Sequence, residues 1–356
     1  MATRSPQFIR VSDEQVVLKR GVHELLISGP EAAEVTRLVV ARLRDTSDID
    51  ELLVEFPESL QAAADQLLRA LRASRLVGEG YEEIAAASSD LALTADSPQW
   101  AFFSALDAAP GTMQAKLRSA TLAVVGINQT SRSLVHSLML AGLGRIWTVS
   151  HPVLDNHDAV DGWDADVTEW AKSGRLHSSS DTDTDAALGA ANLTVAASDF
   201  GRAEALLEVN RRAVASGIPF LPVWLEQDAG FVGPLGVARE TACLRCFADR
   251  RDGPGRARPG LPIIAIQSAE PVDLEASDAW VRLFAAVCGR IAAMEALKFL
   301  TGCAPSGAVG RSMEVSSRTL ALCARRVLKL PRCPDCSEIA RHRIPSVMEG
   351  PQIPNR

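Results

Sequence analysis

The sequence is poor in aromatic side chains and in cysteine. It has 356 residues with a single tyrosine, and aromatics make up 5% of the whole. Seven cysteines are too sparse for a disulfide scaffold, and an odd number leaves one over. No run of about eighteen apolar residues occurs, so nothing reads as a membrane span. The opening stretch, MATRSPQFIRVSDEQ, has no apolar core of the kind a secretory signal carries. Excess positive charge is missing too. With 37 Lys+Arg against 44 Asp+Glu the net charge is −7, which argues against nucleic acid or an anionic membrane as the main partner. A cytoplasmic protein is the expectation. What is present, 47% apolar and 23% charged residues, is the composition of folded domains and excludes a disordered or collagen-like chain. At about 150 residues per domain, the length suggests two.

Residues 7–78 read as a small unit. QFIRV, QVVLKR and VHELLISG are short runs rich in β-branched and leucine residues, separated by the turn signals SDE and RG. Three helices are expected after them. Pro30 opens the first, with Val35, Leu38, Val39 and Leu43 at helical spacing. A short second helix is expected at IDELLVEF behind the capping candidates Ser47 and Asp48. The third is predicted from about Glu58 to Arg75, with Leu60, Ala64, Leu67, Leu68 and Leu71 on one face. Three strands and three helices in this length describe a winged-helix module. Periodicity then weakens through an Ala/Ser/Asp-rich stretch. The predicted organisation is residues 1–80 as the winged-helix module, 81–115 as a connector, 116–340 as an α/β domain, and 341–356 as a tail.

The larger domain begins at TLAVVGIN. LAVVG is a continuous apolar run, as expected of a strand buried on both faces of a parallel sheet. SRSLVHSLMLAGLG and RIWTVS follow as helix and strand. ANLTVAASD, EALLEVNRRAVASG and IPFLPVWL then repeat strand, helix, strand. A long amphipathic helix is expected from about Asp273 to Leu300. A Rossmann-like, mostly parallel α/β fold follows from this alternation.

A nucleotide site on such a fold needs glycines where backbone approaches phosphate, and an acid ending the second strand to hold a ribose. Of the glycines only Gly126 is present, and Asn128, Gln129 and Ser131 stand where others would be wanted. The second strand ends Val149, Ser150, His151, and the first acid afterwards is Asp155. A degenerate loop that does not use ATP is the expectation, and the same two losses disfavour a nicotinamide oxidoreductase. The strongest chemical signal is the two C-x-x-C pairs, Cys243/Cys246 and Cys333/Cys336. Four thiolates complete a tetrahedral zinc and leave no open position, so a metal there would be structural. Two unrelated pairs, or a redox pair, are the alternatives. Cys288, Cys303 and Cys323 are expected to be buried small hydrophobes. His23, His136, His151, His157, His177 and His342 form no ligand pair or triad, and no catalytic constellation is assembled. A peptide site is easier to argue. The third strand, Glu24, Leu25, Leu26, Ile27 and Ser28, offers an edge to which an extended peptide can add. The third helix would form the opposite wall, its Ala63, Ala64 and Ala70 leaving room beside Leu67, Leu68 and Leu71.

Two stretches resemble known families. LAVVG, AGLGRIWTVS, ANLTVAASD, EVNRRAVASGIPFLPV, FVGPLGVARETACLRC, AAMEALKFLTG and LPRCPDC resemble the ThiF/MoeB-like fold of ubiquitin-activating-type enzymes. Within it, VGPL…ACLRC and CPDC are similar to the cyclodehydratase-associated ThiF-like proteins of azole-containing ribosomal peptide pathways. Residues 7–78 resemble the PqqD-like recognition element of such pathways. The resemblance implies a leader-peptide-binding, non-catalytic partner of a YcaO-type cyclodehydratase, homodimeric, with Cys243, Cys246, Cys333 and Cys336 holding structural zinc. It also implies that Asp199 stands where active relatives assist a metal-bound nucleotide. The alternative is an ATP-dependent adenylating enzyme that modifies a peptide itself.

Overall fold

A computed structural model describes residues 7–20, 23–42, 56–74, 98–106, 108–156, 168, 170–179, 184–201, 203–226, 228–251 and 282–337. The chain divides into two units, Met1–Lys116 and Leu117–Arg356.

In the first unit, β1 (Gln7–Arg10), β2 (Gln15–Arg20) and β3 (His23–Ser28) form an antiparallel sheet in the order β1-β2-β3. Helices α1 (Ala32–Arg42) and α2 (Glu58–Ala73) follow. The short helix expected at IDELLVEF lies outside the described residues apart from Phe56. Period-two alternation sets the sheet's faces. Val16 and Leu18 point to the core, and their cross-strand partners Ile27 and Leu25 pack against it. Val35, Val39, Val40, Phe56, Ala64, Leu67, Leu68 and Leu71 complete that core from the helices. Each fully buried leucine there is worth roughly 1.5–3 kcal/mol relative to exposure. Two further helices, α3 (Pro98–Ala105) and α4 (Pro110–Ser119), occupy part of the stretch read as a connector. Each opens on a proline, the residue whose missing N–H costs least in a first helical turn.

The second unit carries β4 (Thr121–Val125), α5 (Gln129–Leu140), β5 (Arg145–Val149), β6 (Leu176–Ser179), α6 (Thr184–Gly189), β7 (Leu193–Ser198) and α7 (Ala203–Ala215). It continues with β8 (Phe220–Glu226), β9 (Ala229–Val232), α8 (Leu244–Arg251), α9 (Arg282–Thr301), β10 (Arg311–Ser316) and β11 (Leu322–Arg326). Its eight-stranded sheet runs β11-β10-β9-β8-β7-β4-β5-β6. β8 through β6 pair in parallel, while β9, β10 and β11 add antiparallel. All six residues of β7 are buried, which explains its unbroken apolar run. The chain moves from β4 to β5 on one side and returns to β7 on the other. The carboxyl ends of β4 and β7 therefore flank the topological switch point, where ligands of such folds bind.

One expectation is corrected here. Cys288 and Cys303 are buried, but Cys323 is exposed, because β11 is the last strand of the sheet and every residue of it is exposed. Among the described residues, no helix is long and apolar enough to cross a membrane.

Candidate functional site

Three places carry the candidate residues. The first is the outer margin of β3. Gly29 N–H donates to Glu14 C=O, so by antiparallel alternation Ile27 and Leu25 bond to β2. Glu24, Leu26 and Ser28 direct their own N–H and C=O outward. Among the described residues no strand pairs with them. The Leu26 side chain is 60% exposed, and a Lys19–Glu24 ion pair crosses the ladder beside it. Ala64, Leu67, Leu68 and Leu71 sit in the small core. They back the sheet from beneath rather than lining an open wall.

The second place is the start of α5. Asn128 is its N-cap. The Asn128 side chain accepts from Ser131 N–H at 2.9 Å, and Ser131 Oγ accepts from Asn128 N–H at 2.9 Å, a reciprocal capping box. Asn128 Nδ2 also donates to Leu154 C=O and Ala197 C=O. The next donors go to Asp199. Its carboxylate accepts from Gln129 N–H at 3.0 Å, Thr130 N–H at 3.2 Å, Thr130 Oγ1 at 2.6 Å and Asn156 Nδ2 at 3.2 Å. Asp155 is likewise engaged by Ile127 N–H, His151 N–H and Ser150 Oγ. Gly126 sits at φ +91°, where a Cβ would come within 2.6 Å of Ala197 O and 2.8 Å of Leu154 Cβ.

A helix N-terminus attracts anions because its first N–H groups lack partners. Here the protein supplies the anion itself. A phosphate would have to take donors already committed to Asp199 and Asn128, and would meet a carboxylate at the same spot. The first donors of α5 are thus held by side chains of the chain itself.

Asp199 is 1% exposed. Burial outweighs the donors around it and holds its pKa above the usual carboxylate range. Between the ordinary aspartate value of 3.8 and that raised value, the fold binds a proton that the unfolded chain has released. The stability Asp199 contributes therefore falls as pH rises through its raised folded pKa. Urea unfolding of wild type and Asp199→Asn should give a stability difference that favours wild type more at pH about 4.5 than at pH about 7. A difference independent of pH would contradict this assignment.

The third place is the cysteine cluster. Cys243 and Cys246 stand at the start of α8, and Cys333 and Cys336 lie in the turn after β11. All four are buried, with their sulfurs within 4.8 Å of one another. Cys243 Sγ lies 4.0 Å from Cys246 and 3.7 Å from Cys333, and Cys246 Sγ lies 3.5 Å from Cys336. Four sulfurs at about 2.3 Å from a tetrahedral centre would be about 3.8 Å apart. The four cysteines could hold a metal ion. Hydrogen bonds from Cys243 and its neighbours hold the Cys246 thiol well below the ordinary range, which favours its thiolate. Leu330 N–H points at Cys246 Sγ at 3.3 Å. Asn210, fully buried on α7, joins the two knuckles. It donates to Asp335 Oδ2 at 2.7 Å and accepts from Leu244 N–H at 3.1 Å. Nothing in its local sequence marks that role.

The described histidines are occupied elsewhere. His151 Nδ1 accepts from Val153 N–H, His177 stacks on Trp147 and His136 meets Trp170 edge-on. His157 and His342 lie outside the described residues, as does the His23 side chain.

No protein-family model matches the sequence, and no curated protein matches it. Solved structures do match. E. coli MccB with ATP superposes with a TM-score of 0.62 at 15% identity, covering 95% of this chain and 99% of that one. The fold is shared with MccB. The microcin C7 biosynthetic enzyme MccB in complex with N-formylated MccA gives a TM-score of 0.64 at 14% identity, with 95% and 99% covered. The heterocyclase TruD gives 0.58 at 17% identity, covering 95% of this chain and 42% of TruD.

Proposed function

We propose that this chain is a peptide-binding member of a ribosomal-peptide modification system, in which a winged-helix recognition module captures a precursor leader. The carrying observation is the open margin of β3, whose Glu24, Leu26 and Ser28 present outward backbone donors and acceptors. An extended leader would add there as a fourth strand, its main chain giving register and its alternate side chains giving selectivity. Leu25 and Ile27 fix the strand to the core, while Ala64, Leu67, Leu68 and Leu71 support it. The shared fold supports the reading, since MccB is known in complex with MccA and TruD is a heterocyclase. In this reading the chain is a non-catalytic, homodimeric partner that delivers the leader to a YcaO-type cyclodehydratase. Structural zinc sits on Cys243, Cys246, Cys333 and Cys336 and supplies rigidity.

The test is isothermal titration with the precursor peptide encoded beside the gene. The whole chain should bind with micromolar or better affinity, and a chain lacking residues 1–80 should not. Unchanged binding by the shortened chain overturns the proposal.

The second reading, adenylation of a peptide by this chain, draws on the shared fold with MccB, which has been solved with ATP. The Asp199 and Asn128 caps weigh against it. ATP–pyrophosphate exchange in the presence of the peptide is expected at background, and exchange clearly above background would establish the second reading instead.

A further inference from the structure

A second open margin lies at the far end of the large sheet. Ser316 N–H donates to Ala321 C=O and Val327 N–H donates to Gly310 C=O. Odd-numbered residues of β11 therefore face β10, and Leu322, Ala324 and Arg326 turn their backbone groups outward. Among the described residues no strand pairs with them.

The side chains on this margin are of two kinds. Leu322 and Ala324 lie opposite Val315 and Met313 in the ladder, and those two are buried. Their layer continues to Val232 and Gly230 of β9, where Gly230 comes up against Cys288 and Phe284 of α9. The covered apolar face thus extends onto β11, but Leu322 is left 45% exposed and Leu320 66%. Next along the same face, Arg326 stands directly opposite Arg311. Both are exposed, and neither forms an ion pair among the described residues. Like charges facing across a ladder are destabilising unless an anion joins them. Charge alone would blunt a sheet margin, whereas Leu322 and Ala324 beside it do the opposite. Residues 317–327, SRTLALCARRV, hold three arginines and no acid. Pairing of β11 with a second copy of itself would bring no carboxylate to Arg326.

We propose that β11 takes an acidic, extended segment of a partner polypeptide as a ninth strand. A carboxylate would lie opposite Arg326 and reach Arg311, and apolar side chains would lie opposite Ala324 and Leu322. The partner pattern is acid-x-apolar-x-apolar, in either chain direction. This surface is independent of the leader margin on β3.

The test uses the full chain and a fluorescein-labelled synthetic peptide centred on Asp-Ser-Val-Thr-Ile. Anisotropy should show saturable binding that is lost with a scrambled peptide. Ala324→Pro removes an outward donor without touching the β10 ladder and should weaken binding about tenfold or more, with the melting curve retained. Arg326→Glu should lose the acidic peptide by about tenfold, the effect of a single charge-assisted contact. The same variant should gain the peptide in which Lys replaces Asp. Equal binding of acidic, scrambled and Lys peptides overturns the proposal. So does a wild-type dimer by light scattering that Ala324→Pro converts to monomer, since the margin would then belong to a second copy.

Discussion

Leu26→Pro is expected to abolish leader capture while the small module stays folded. Proline in a strand deletes one N–H and places its ring where that N–H pointed. At Leu26 that group points outward, so the β2 ladder loses nothing and only the incoming strand is refused. Loss of a main-chain bond together with steric exclusion should weaken binding on the order of a hundredfold, read by titration calorimetry. The neighbouring change is the control. Ile27 bonds to β2 and packs on the core, so Ile27→Pro should lower the module's melting temperature as well as its binding. Full-strength binding by a folded Leu26→Pro chain would mean that the leader docks elsewhere.

Cys243→Ser is expected to remove about one zinc per chain, measured by metal analysis, and to lower the melting temperature sharply. Structural zinc contributes on the order of 10 kcal/mol to folding. Losing even a third of that would cost about 10 °C, at roughly 2–4 °C per kcal/mol for a unit of this size. The cost is large because the knuckles join residues 90 apart in sequence, and α9 and the β10–β11 hairpin lie within the closed span. Purified wild-type chain without zinc would remove the metal from this reading.

Much of the larger unit was legible because strands buried on both faces have to be apolar throughout, as in TLAVV and LTVAAS, and the helices between them carry a different period. The third helix was expected from Glu58, and its apolar face is the one that fills the small core. Other features depend on distant partners. PQWAFFSA is apolar without a helical period, so α3 passed for connector. Cys323 has the neighbours of a buried residue, and only its place at the sheet margin exposes it. Asn128 and Ser131, three apart, carry a capping signal, although the same positions stand where a nucleotide loop wants glycine. No local pattern could show that Asp199, some 70 residues on, would close the same helix. Which residues of β3 face outward depends on its register with β2, which the strand's own composition does not encode.

Gly126 carries a lesson for comparing such chains. With Ala197 O and Leu154 Cβ occupying the space that a β-carbon would need, and with the backbone at φ +91°, this position excludes any larger residue whether or not a nucleotide ever visits. A survey that took the glycine as a badge of adenylating activity would be counting a steric necessity as enzymology. The acid that follows β7 is a separate matter, because its oxygens hold Gln129 N–H and Thr130 N–H at the mouth of the same loop.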